Sequence, residues 1–561
     1  MHLIPAVKEL TTLDGYLKNT SVCPRYSGDS RLEKALAQLP LDPQGTPLTL
    51  QVGSGTEEGY RLRIGEEEIA VSAPGPAGAF YAIQTLRQIL AQGPVPCLEI
   101  RDCPDFPIRG FYHDETRGRI NTVARVKALI DDMARFKLNS LQLYVEHVFE
   151  FRETAAITPH SGCYTKDELQ ELDEYCRERF IDFVPSLSTF GHMNDILNQP
   201  QYRHLRVLND YTPAPNRWND RMRHHTIDPR NPESIQLVQS LMDQFAPCFT
   251  SDWFNICCDE TFDLLTATED PGKLYVGFVK QILSHIKSLG KKAMMWADIL
   301  LQYPETIGDL PQDTMFLNWY YRTDPVKMEE KIAALAHLGC NQIVCPGNTV
   351  WNRFCECYSA EVVNILGMIR LGHKYGAKGV LNTSWGDWGH TCNPELGMFG
   401  LVLGAAASWN VETENDEALH SAVNTLLYGS PRGMETLQRV SAIHDKVLWT
   451  GFVRSVFGEE TPWVEAGDLP EILEEYRAVR SLLEGECWEA DAYREGFLLA
   501  LDAICVMAQR GTPAESRLVE VESFLARYRE VWLRDNKPSE LSKIEDLFRW
   551  EATGIPPRWE I

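Results

Sequence analysis

The stretch Ile108-Arg-Gly-Phe-Tyr-His-Asp114 is an apolar run that ends in polar residues, a pattern typical of a buried strand with a site at its carboxyl end. Seven further runs of this kind follow, and amphipathic segments separate most of them. Eight such units predict a parallel (β/α)8 TIM barrel. The predicted strands are 108–114, 139–146, 181–187, 253–258, 292–297, 314–320, 341–345 and 378–384.

The helices of this α/β architecture are predicted between most of the strands, although the helix after the fifth strand is weak. They are 123–136, 166–179, 233–247, 271–289, 326–337 and 360–375, with another at 394–409 after the last strand.

Two regions flank the predicted catalytic barrel, which spans residues 106–411. Residues 1–105 contain alternating strands at 59–64 and 68–72 and a helical pattern at 79–90, which predicts a small α+β domain. Residues 412–561 predict a helical C-terminal region that caps the barrel or forms a homodimer contact. Its helices are expected near 416–428, 432–447, 469–484, 489–509 and 514–534.

The composition is that of a soluble globular protein, with 44% hydrophobic and 24% charged residues in 561. The formal net charge of −25 argues against nucleic acid or an anionic membrane as a partner, because polyanions bind to clustered cations. The N-terminal sequence lacks the basic and apolar regions of a signal peptide, and no run of about 18 apolar residues occurs. A cytoplasmic location is therefore expected.

The fifteen cysteines lie mostly in apolar segments and are expected to be reduced core thiols. Cys355 and Cys357 have no second pair at zinc-binding spacing. We therefore expect neither a metal nor a cofactor.

Polar and aromatic residues cluster where the predicted strands end, which is where TIM barrels place their sites. Aromatic rings and carboxylates around one cavity suit a sugar, whose C–H faces stack on rings and whose hydroxyls need hydrogen-bond partners. These residues are His113, Asp114, Glu115, Glu146, His147, His192, Asn194, Asp259, Glu260, Trp296, Asp298, Trp319, Tyr320, Tyr321, Trp351, Arg353, Trp385 and Asp387.

The pair Asp259 and Glu260 follows the apolar run 253–258, and this context separates it from the three Asp-Glu pairs that lie in predicted helices. Those that begin at Asp167, Asp173 and Asp416 fall in predicted helices with solvated faces. Charges at the end of a buried strand need a compensating role, so we interpret Asp259 and Glu260 as catalytic rather than as part of a structural ion pair.

A series of motifs surrounds this pair in a fixed order: 58–62, 78–88, 108–117, 137–143, 190–192, 258–260, 296–298 and 384–387. Together they resemble glycoside hydrolase family 20, the β-N-acetylhexosaminidase family, over roughly residues 45–410. The resemblance implies an exo-acting, retaining hydrolase that removes terminal β-linked GlcNAc or GalNAc from oligosaccharides or glycoconjugates by substrate-assisted catalysis. The implied partner is a carbohydrate with a terminal N-acetylhexosamine.

The resemblance divides the acidic pair into two roles. Glu260 is implied to protonate the leaving oxygen and then to activate water. Asp259 is implied to orient the 2-acetamido group of the substrate, whose carbonyl oxygen attacks the anomeric carbon and forms an oxazolinium ion. No protein nucleophile is needed in this scheme.

Other matched residues are implied to bind or to position the sugar. Arg109 is implied to bind hydroxyls, with a strand-end salt bridge as its alternative, and His192 is implied to tune Glu260, with a structural role as its alternative. Asp387 stands where the family has a carboxylate for hydroxyls, and Asp114 is expected to orient neighbouring groups. The implied pocket walls, with core packing as their alternative, are Trp296, Trp319 and Trp385.

The chain departs from the family pattern after the seventh predicted strand. There the family commonly has a tyrosine that hydrogen-bonds the acetamido carbonyl and an aspartate two residues later, whereas this chain has Trp351 and Arg353. The indole N–H of Trp351, or the hydroxyl of Tyr320 or Tyr321, is expected to supply the donor. Arg353 is expected to alter the recognition of sugar hydroxyls.

Two other functions remain open from the sequence. One is a catalytically silent carbohydrate-binding protein, against which the intact Asp259 and Glu260 count. The other is a TIM-barrel β-glycosidase that uses a carboxylate as its nucleophile, for which a carboxyl separation of about 5–5.5 Å is typical.

Overall fold

The structure is a computed structural model that describes residues 1–157, 162–210, 216–222, 225–465, 467–553, 557 and 559. In this part of the chain, a six-stranded sheet is followed by a closed eight-stranded barrel and then by helices. No helix among the described residues is long and apolar enough to cross a membrane. The fifteen cysteines all lie within the described ranges, where none forms a disulfide and nine are buried.

The N-terminal sheet has the strand order β1-β6-β4-β5-β3-β2; its second helix packs on β3, β4 and β5, and its first helix packs on the second. The strands are β1 (Glu9–Tyr16), β2 (Val22–Arg25), β3 (Thr46–Val52), β4 (Tyr60–Ile64), β5 (Ile69–Ala73) and β6 (Pro96–Asp102). The helices are α1 (Ser30–Leu36) and α2 (Pro76–Leu90).

The barrel consists of eight parallel strands, and its first strand pairs with its last. This confirms the predicted fold class, and each predicted strand overlaps an observed one. The strands are β7 (Ile108–Asp114), β8 (Ser140–Val145), β9 (Asp182–Leu187), β10 (Trp253–Asn255), β11 (Lys292–Trp296), β12 (Met315–Trp319), β13 (Asn341–Cys345) and β14 (Gly379–Ser384).

Helices follow each barrel strand, and the one after β11 is short, as its weak sequence pattern indicates. The helices are α3 (Val123–Arg135), α4 (Lys166–Arg177), α5 (Asn194–Leu197), α6 (Arg217–Met222), α7 (Pro232–Phe245), α8 (Leu264–Ala267), α9 (Pro271–Ser288), α10 (Asp298–Gln302), α11 (Pro325–His337), α12 (Tyr358–Lys374) and α13 (Met398–Trp409).

The C-terminal region is helical and packs against the barrel. Its helices are α14 (Glu417–Val423), α15 (Gly433–Asp445), α16 (Trp449–Val456), α17 (Leu469–Gly485), α18 (Asp491–Ala508), α19 (Val521–Asp535) and α20 (Leu541–Thr553). The helix predicted at 514–534 begins only at Val521, and α16 and α20 were not predicted. The domain boundaries after residues 105 and 411 stay a proposal.

A pair of buried carboxyl groups joins the loop after β13 to the start of α13. Glu361 accepts a hydrogen bond from the Thr349 amide (3.0 Å), and Glu356 accepts one from the Gly400 amide (3.1 Å). The two side chains are fully buried and hydrogen-bond to each other, so at least one of them holds a proton. Burial raises the pKa of Glu356 to about 8, and burial together with the Glu356 charge raises the pKa of Glu361.

Glu361→Gln is expected to make stability less sensitive to pH. A carboxyl with a raised folded-state pKa stabilises fully below its unfolded pKa of about 4.5, and this stabilisation is lost as pH rises through its folded pKa, which for Glu356 lies near 8. Because Gln donates its amide proton at every pH, the urea midpoint of the variant should rise relative to wild type between pH 5 and pH 8. The exposed Glu329→Gln is the control, and an unchanged difference in midpoint would argue against a shared proton.

Candidate functional site

The acidic pair lies at the carboxyl end of the barrel, directly beyond β10. His192, which follows β9, places its Nε2 atom 3.3 Å from Asp259 Oδ2 and 3.4 Å from Glu260 Oε2. The Asp259 side chain is 9% exposed and that of Glu260 is 25% exposed, so Glu260 is the more accessible of the two. One imidazole therefore joins the two carboxylates that the sequence singled out.

The backbone around the pair is held in an unusual conformation. Cys257, Cys258 and Glu260 all have positive φ angles, at 56°, 66° and 51°, although none is glycine. Such angles cost free energy and persist where the surroundings enforce them. Gly191 is part of that enforcement, because a Cβ atom there would lie 2.3 Å from the Asp259 carbonyl oxygen. The close approach of the two loops aims both carboxylates at His192.

The protonation of His192 follows from its neighbours. Burial opposes a charged ring, but Asp259 and Glu260 outweigh it and raise the pKa of His192 to about 10. Arg117 Nη2 lies 3.3 Å from the other ring nitrogen, Nδ1, which favours Nδ1 as the acceptor whenever the ring is neutral. In both protonation states a proton on Nε2 therefore faces the carboxylates.

Asp298, which follows β11, fixes the backbone of the pair. Its Oδ2 atom accepts a hydrogen bond from the Glu260 amide at 3.0 Å. Burial, and then the charges of Asp259 and Glu260, raise the pKa of Asp298 to about 7. Three acidic groups therefore share a small volume, and Asp298 is the one whose pKa is raised by its two neighbours.

Arg117 connects the far side of the site. Its Nη1 atom lies 2.6 Å from Asp387 Oδ1, and its Nε atom lies 3.5 Å from Glu146 Oε1. Asp114 accepts hydrogen bonds from the Thr116, Arg117 and Gly386 amides at 2.9–3.1 Å. Asp114 thus ties the loop after β7 to the loop after β14, and its orienting role stays a prediction.

Aromatic rings near the site pack in two groups within one hydrophobic cluster. One group surrounds Trp385, with ring centroids 5.1–5.9 Å away, and a second follows β12 and β13. The Trp385 indole N–H joins them by donating to the Tyr321 hydroxyl at 2.8 Å. The first group is Tyr112, Tyr144, Trp296 and Trp385, and the second is Trp319, Tyr321 and Trp351.

The two adjacent tyrosines after β12 separate. Tyr321 joins the aromatic group, and its burial raises its pKa well above the usual range. Tyr320 instead packs into the main hydrophobic core. Of the two, Tyr321 is therefore the candidate donor to an acetamido carbonyl.

Arg109 and Arg353 do not lie where the sequence analysis expected them, which was beside the sugar hydroxyls. Arg109 lies at the start of β7, opposite the acidic pair, where its Nη1 atom bonds Glu58 Oε2 at 2.5 Å and its Nε atom donates to the Lys137 carbonyl. The alternative of a strand-end salt bridge is correct for Arg109, because residues at that end of a barrel strand face away from the site. Arg353 turns outward and bonds Asp445 (2.8 Å) and the Ser441 carbonyl.

Three residues of the site were missed as binding or catalytic residues: Arg117, Asp298 and Glu146. The sequence did carry a signal for each. Arg117 and Asp298 belong to the motifs 108–117 and 296–298, and each of the three lies at or just beyond the carboxyl end of a strand. Strand direction alone would have favoured Arg117 over Arg109.

Two family models match the chain. Residues 106–370 match the glycosyl hydrolase family 20 catalytic domain, and residues 1–103 match domain 2 of the same family.

Several curated proteins are similar over part of their length. A lacto-N-biosidase of Bifidobacterium bifidum is 26% identical over 295 residues, which cover 49% of this chain and 25% of that protein. A β-hexosaminidase of Emericella nidulans is 26% identical over 47% of this chain and 49% of its own length. A β-hexosaminidase of Vibrio furnissii is 23% identical over 64% of this chain and 65% of its own length. The chain thus spans from a quarter to just under two thirds of the length of these relatives.

Solved structures share the fold. The Flavobacterium johnsoniae chitobiase aligns with a TM-score of 0.61 at 17% identity, covering 98% of this chain and 93% of that one. The family 20 exo-β-N-acetylglucosaminidase of Vibrio harveyi, in complex with N-acetylglucosamine, aligns with a TM-score of 0.59 at 18% identity over 78% of both chains. With both domains matched by the family, the chain belongs to glycoside hydrolase family 20.

Proposed function

We propose that this protein is an exo-acting, retaining β-N-acetylhexosaminidase that removes terminal β-linked GlcNAc or GalNAc by substrate-assisted catalysis. The observation that carries the proposal is the contact of His192 Nε2 with both carboxylates, at 3.3 and 3.4 Å, at the carboxyl end of the barrel. The acidic pair is thereby placed where barrel enzymes perform their chemistry.

In the first step, the acetamido carbonyl oxygen of the substrate bonds to the anomeric carbon while the bond from that carbon to the leaving oxygen breaks. Glu260 gives its proton to the leaving oxygen. Asp259 lies beside the acetamido N–H and stabilises the positive charge that develops on the oxazolinium ion. The 9% exposure of the Asp259 side chain strengthens this interaction, because little water screens it.

In the second step, Glu260 takes a proton from water as the water oxygen bonds to the anomeric carbon. The bond from that carbon to the acetamido oxygen breaks, which restores the acetamide and retains the β configuration. His192 holds Nε2–H toward both carboxylates throughout, and Asp298 holds the Glu260 backbone in place.

The sugar is bound by the groups on either side of the pair. We assign the hydroxyl contacts predicted for Arg109 to Arg117 and Asp387 instead, since their 2.6 Å ion pair presents both donors and an acceptor near His192. The ring groups around Trp385 and Trp319 form the wall for the acetamido methyl, and Tyr321 is the donor for its carbonyl. Tyr321 thus takes the role of the tyrosine that the family commonly has after the seventh barrel strand and that this chain lacks there.

The arrangement favours this scheme over a carboxylate nucleophile. A retaining enzyme with its own nucleophile places its two carboxyls about 5–5.5 Å apart across the scissile bond. Here Asp259 and Glu260 are consecutive in the chain, and one carboxylate oxygen of each lies within 3.4 Å of the same atom, His192 Nε2. The two carboxylates therefore act as neighbours.

The test is a comparison of 4-nitrophenyl β-GlcNAc, β-GalNAc and β-glucoside with the full chain. Both acetamido sugars should be cleaved, and the glucoside should react at least about a thousandfold more slowly because it lacks the internal nucleophile. A GlcNAc-thiazoline, which has the shape of the oxazolinium intermediate, should inhibit. Equal cleavage of the glucoside would rule out the substrate-assisted scheme.

The proposal extends to the setting of the enzyme. Nine buried cysteine thiols suit a reducing compartment, so we place the protein in the cytoplasm, acting on imported oligosaccharides or glycoconjugate fragments. The homodimer remains a prediction from the helical C-terminal region.

A further inference from the structure

The C-terminal region reaches the catalytic face at Glu540, the residue before α20. Glu540 Oε2 accepts a hydrogen bond from Trp218 Nε1 at 2.7 Å, and Oε1 bonds Arg221 Nη2 at 2.5 Å and Lys543 Nζ at 2.7 Å. Burial opposes the charge, but Arg221 and Lys543 outweigh it and lower the pKa of Glu540 to about 2. Glu540 is therefore a persistent carboxylate with three donors.

Two of those donors belong to α6, the short helix beyond β9. The other end of the Arg221 guanidinium, Nη1, donates to the Thr116 carbonyl at 3.4 Å, one residue before Arg117. The Trp218 ring packs on Gly389, where a Cβ atom would lie 2.5 Å from the ring. Gly389 is two residues after Asp387. Helix α6 therefore contacts both loops that form the Arg117–Asp387 ion pair.

The same C-terminal segment also holds the loop after β7 through its backbone. The Lys537 amide donates to the Ile120 carbonyl at 2.8 Å, and the Thr122 amide donates to the Asp535 carbonyl at 2.9 Å. These contacts lie at one end of the loop, and the Glu540 contacts through α6 lie at the other. The loop that carries Arg117 is thus held at one end by Asp535 and Lys537, more than 400 positions away, and contacted at the other end by Arg221.

Charge gives Glu540 a role beyond packing. Arg221 is buried and its charge interacts with those of Glu540, Asp195 and Glu146. Glu146 also lies 3.5 Å from Arg117 Nε. Without the Glu540 carboxylate, Arg221 would pair more strongly with Glu146 and compete with Arg117 for it.

We propose that Glu540 is a positioning residue for the sugar site, which acts through Trp218 and Arg221 to hold Arg117 and Asp387 beside His192. The inference rests on the proposed function, because it assigns those two residues to sugar binding. It makes the C-terminal helical region a part of the active site, although none of its residues is assigned to the reaction itself.

The test compares Glu540→Gln with Glu545→Gln. Glu545 is the matched control, because it lies in α20, is more buried than Glu540, and its ion-pair partners Arg529 and Arg549 belong to α19 and α20. Glu540→Gln should lower kcat/KM for 4-nitrophenyl β-GlcNAc by about 10- to 100-fold and raise the inhibition constant of GlcNAc in parallel. Glu545→Gln should leave both within about twofold even where it lowers the thermal midpoint.

Two further measurements distinguish a positioning role of Glu540 from a general loss of stability. They are the recovery of kcat/KM in conservative variants and the hydrogen exchange of the two loops. Glu540→Asp keeps the charge and should recover part of kcat/KM, and Trp218→Phe keeps the ring on Gly389 and should show a smaller loss than Glu540→Gln. Hydrogen exchange of peptides spanning 114–122 and 384–390 should quicken in Glu540→Gln only.

Each outcome decides the inference. Equal losses of kcat/KM in Glu540→Gln and Glu545→Gln, in proportion to lost stability, would overturn it. Unchanged exchange in both peptides would overturn it as well, even if the wild type cleaves no hexosaminide. Absence of wild-type activity with the exchange change present would count against the proposed function and leave the positioning contact established.

Discussion

Glu260→Gln should lower kcat by about 10²–10⁴-fold on a disaccharide substrate, because the leaving sugar oxygen needs a proton that an amide cannot give. The loss should be smaller on a 4-nitrophenyl glycoside, whose leaving group departs without protonation. Gln keeps the shape of Glu260 and its backbone bond to Asp298. Steady-state kinetics on the two substrates measure the difference.

The control for this variant is Glu417→Gln. Glu417 belongs to another Asp-Glu pair, and it lies exposed in the first turn of α14, so its replacement should leave kcat unchanged. An equal loss on both substrates in Glu260→Gln would show that Glu260 is not the proton donor.

Asp259→Asn should lower kcat by about 10²–10³-fold with little change in KM, since the carboxylate interacts with charge that develops only in the transition state. Affinity for the thiazoline should fall with kcat/KM. The pKa of His192 should also fall, because the charge of Asp259 is the largest contribution that raises it. Inhibition constants and NMR titration of His192 provide the two readouts. Unchanged thiazoline affinity would contradict the assignment of Asp259 to the acetamido group.

Much of the barrel was predictable because its strands are buried on both faces. Near-continuous apolar runs produce a strong signal, and all eight predicted segments overlap observed strands. The N-terminal sheet was less predictable because not all of its strands are buried. Its edge strand Glu9–Tyr16 is exposed along almost its entire length, so its sequence has no apolar alternation to detect. Tertiary pairing with β6 holds it instead.

The sequence predicts those residues of the candidate site that lie at the carboxyl ends of the barrel strands. Asp259 and Glu260 follow one apolar strand, and His192 follows the strand before it in the chain. The strand ends can be read from the sequence, and the structure brings the three side chains together there. Long-range partners were not predictable. Arg353 turns toward Asp445, 92 residues away, and Arg109 toward Glu58, because each side chain finds its charge partner in another region.

Because β7 pairs with β14, the barrel closes only late in the synthesis of the chain. These strands are joined edge to edge, and the Arg117–Asp387 bridge spans the same seam across 270 residues of chain. Contacts so distant in sequence form late and slowly, because the intervening chain must first be ordered. A nascent chain on the ribosome therefore has an open barrel until residues beyond 390 emerge. Asp259, Glu260, His192 and Arg117 come together only when the ring closes.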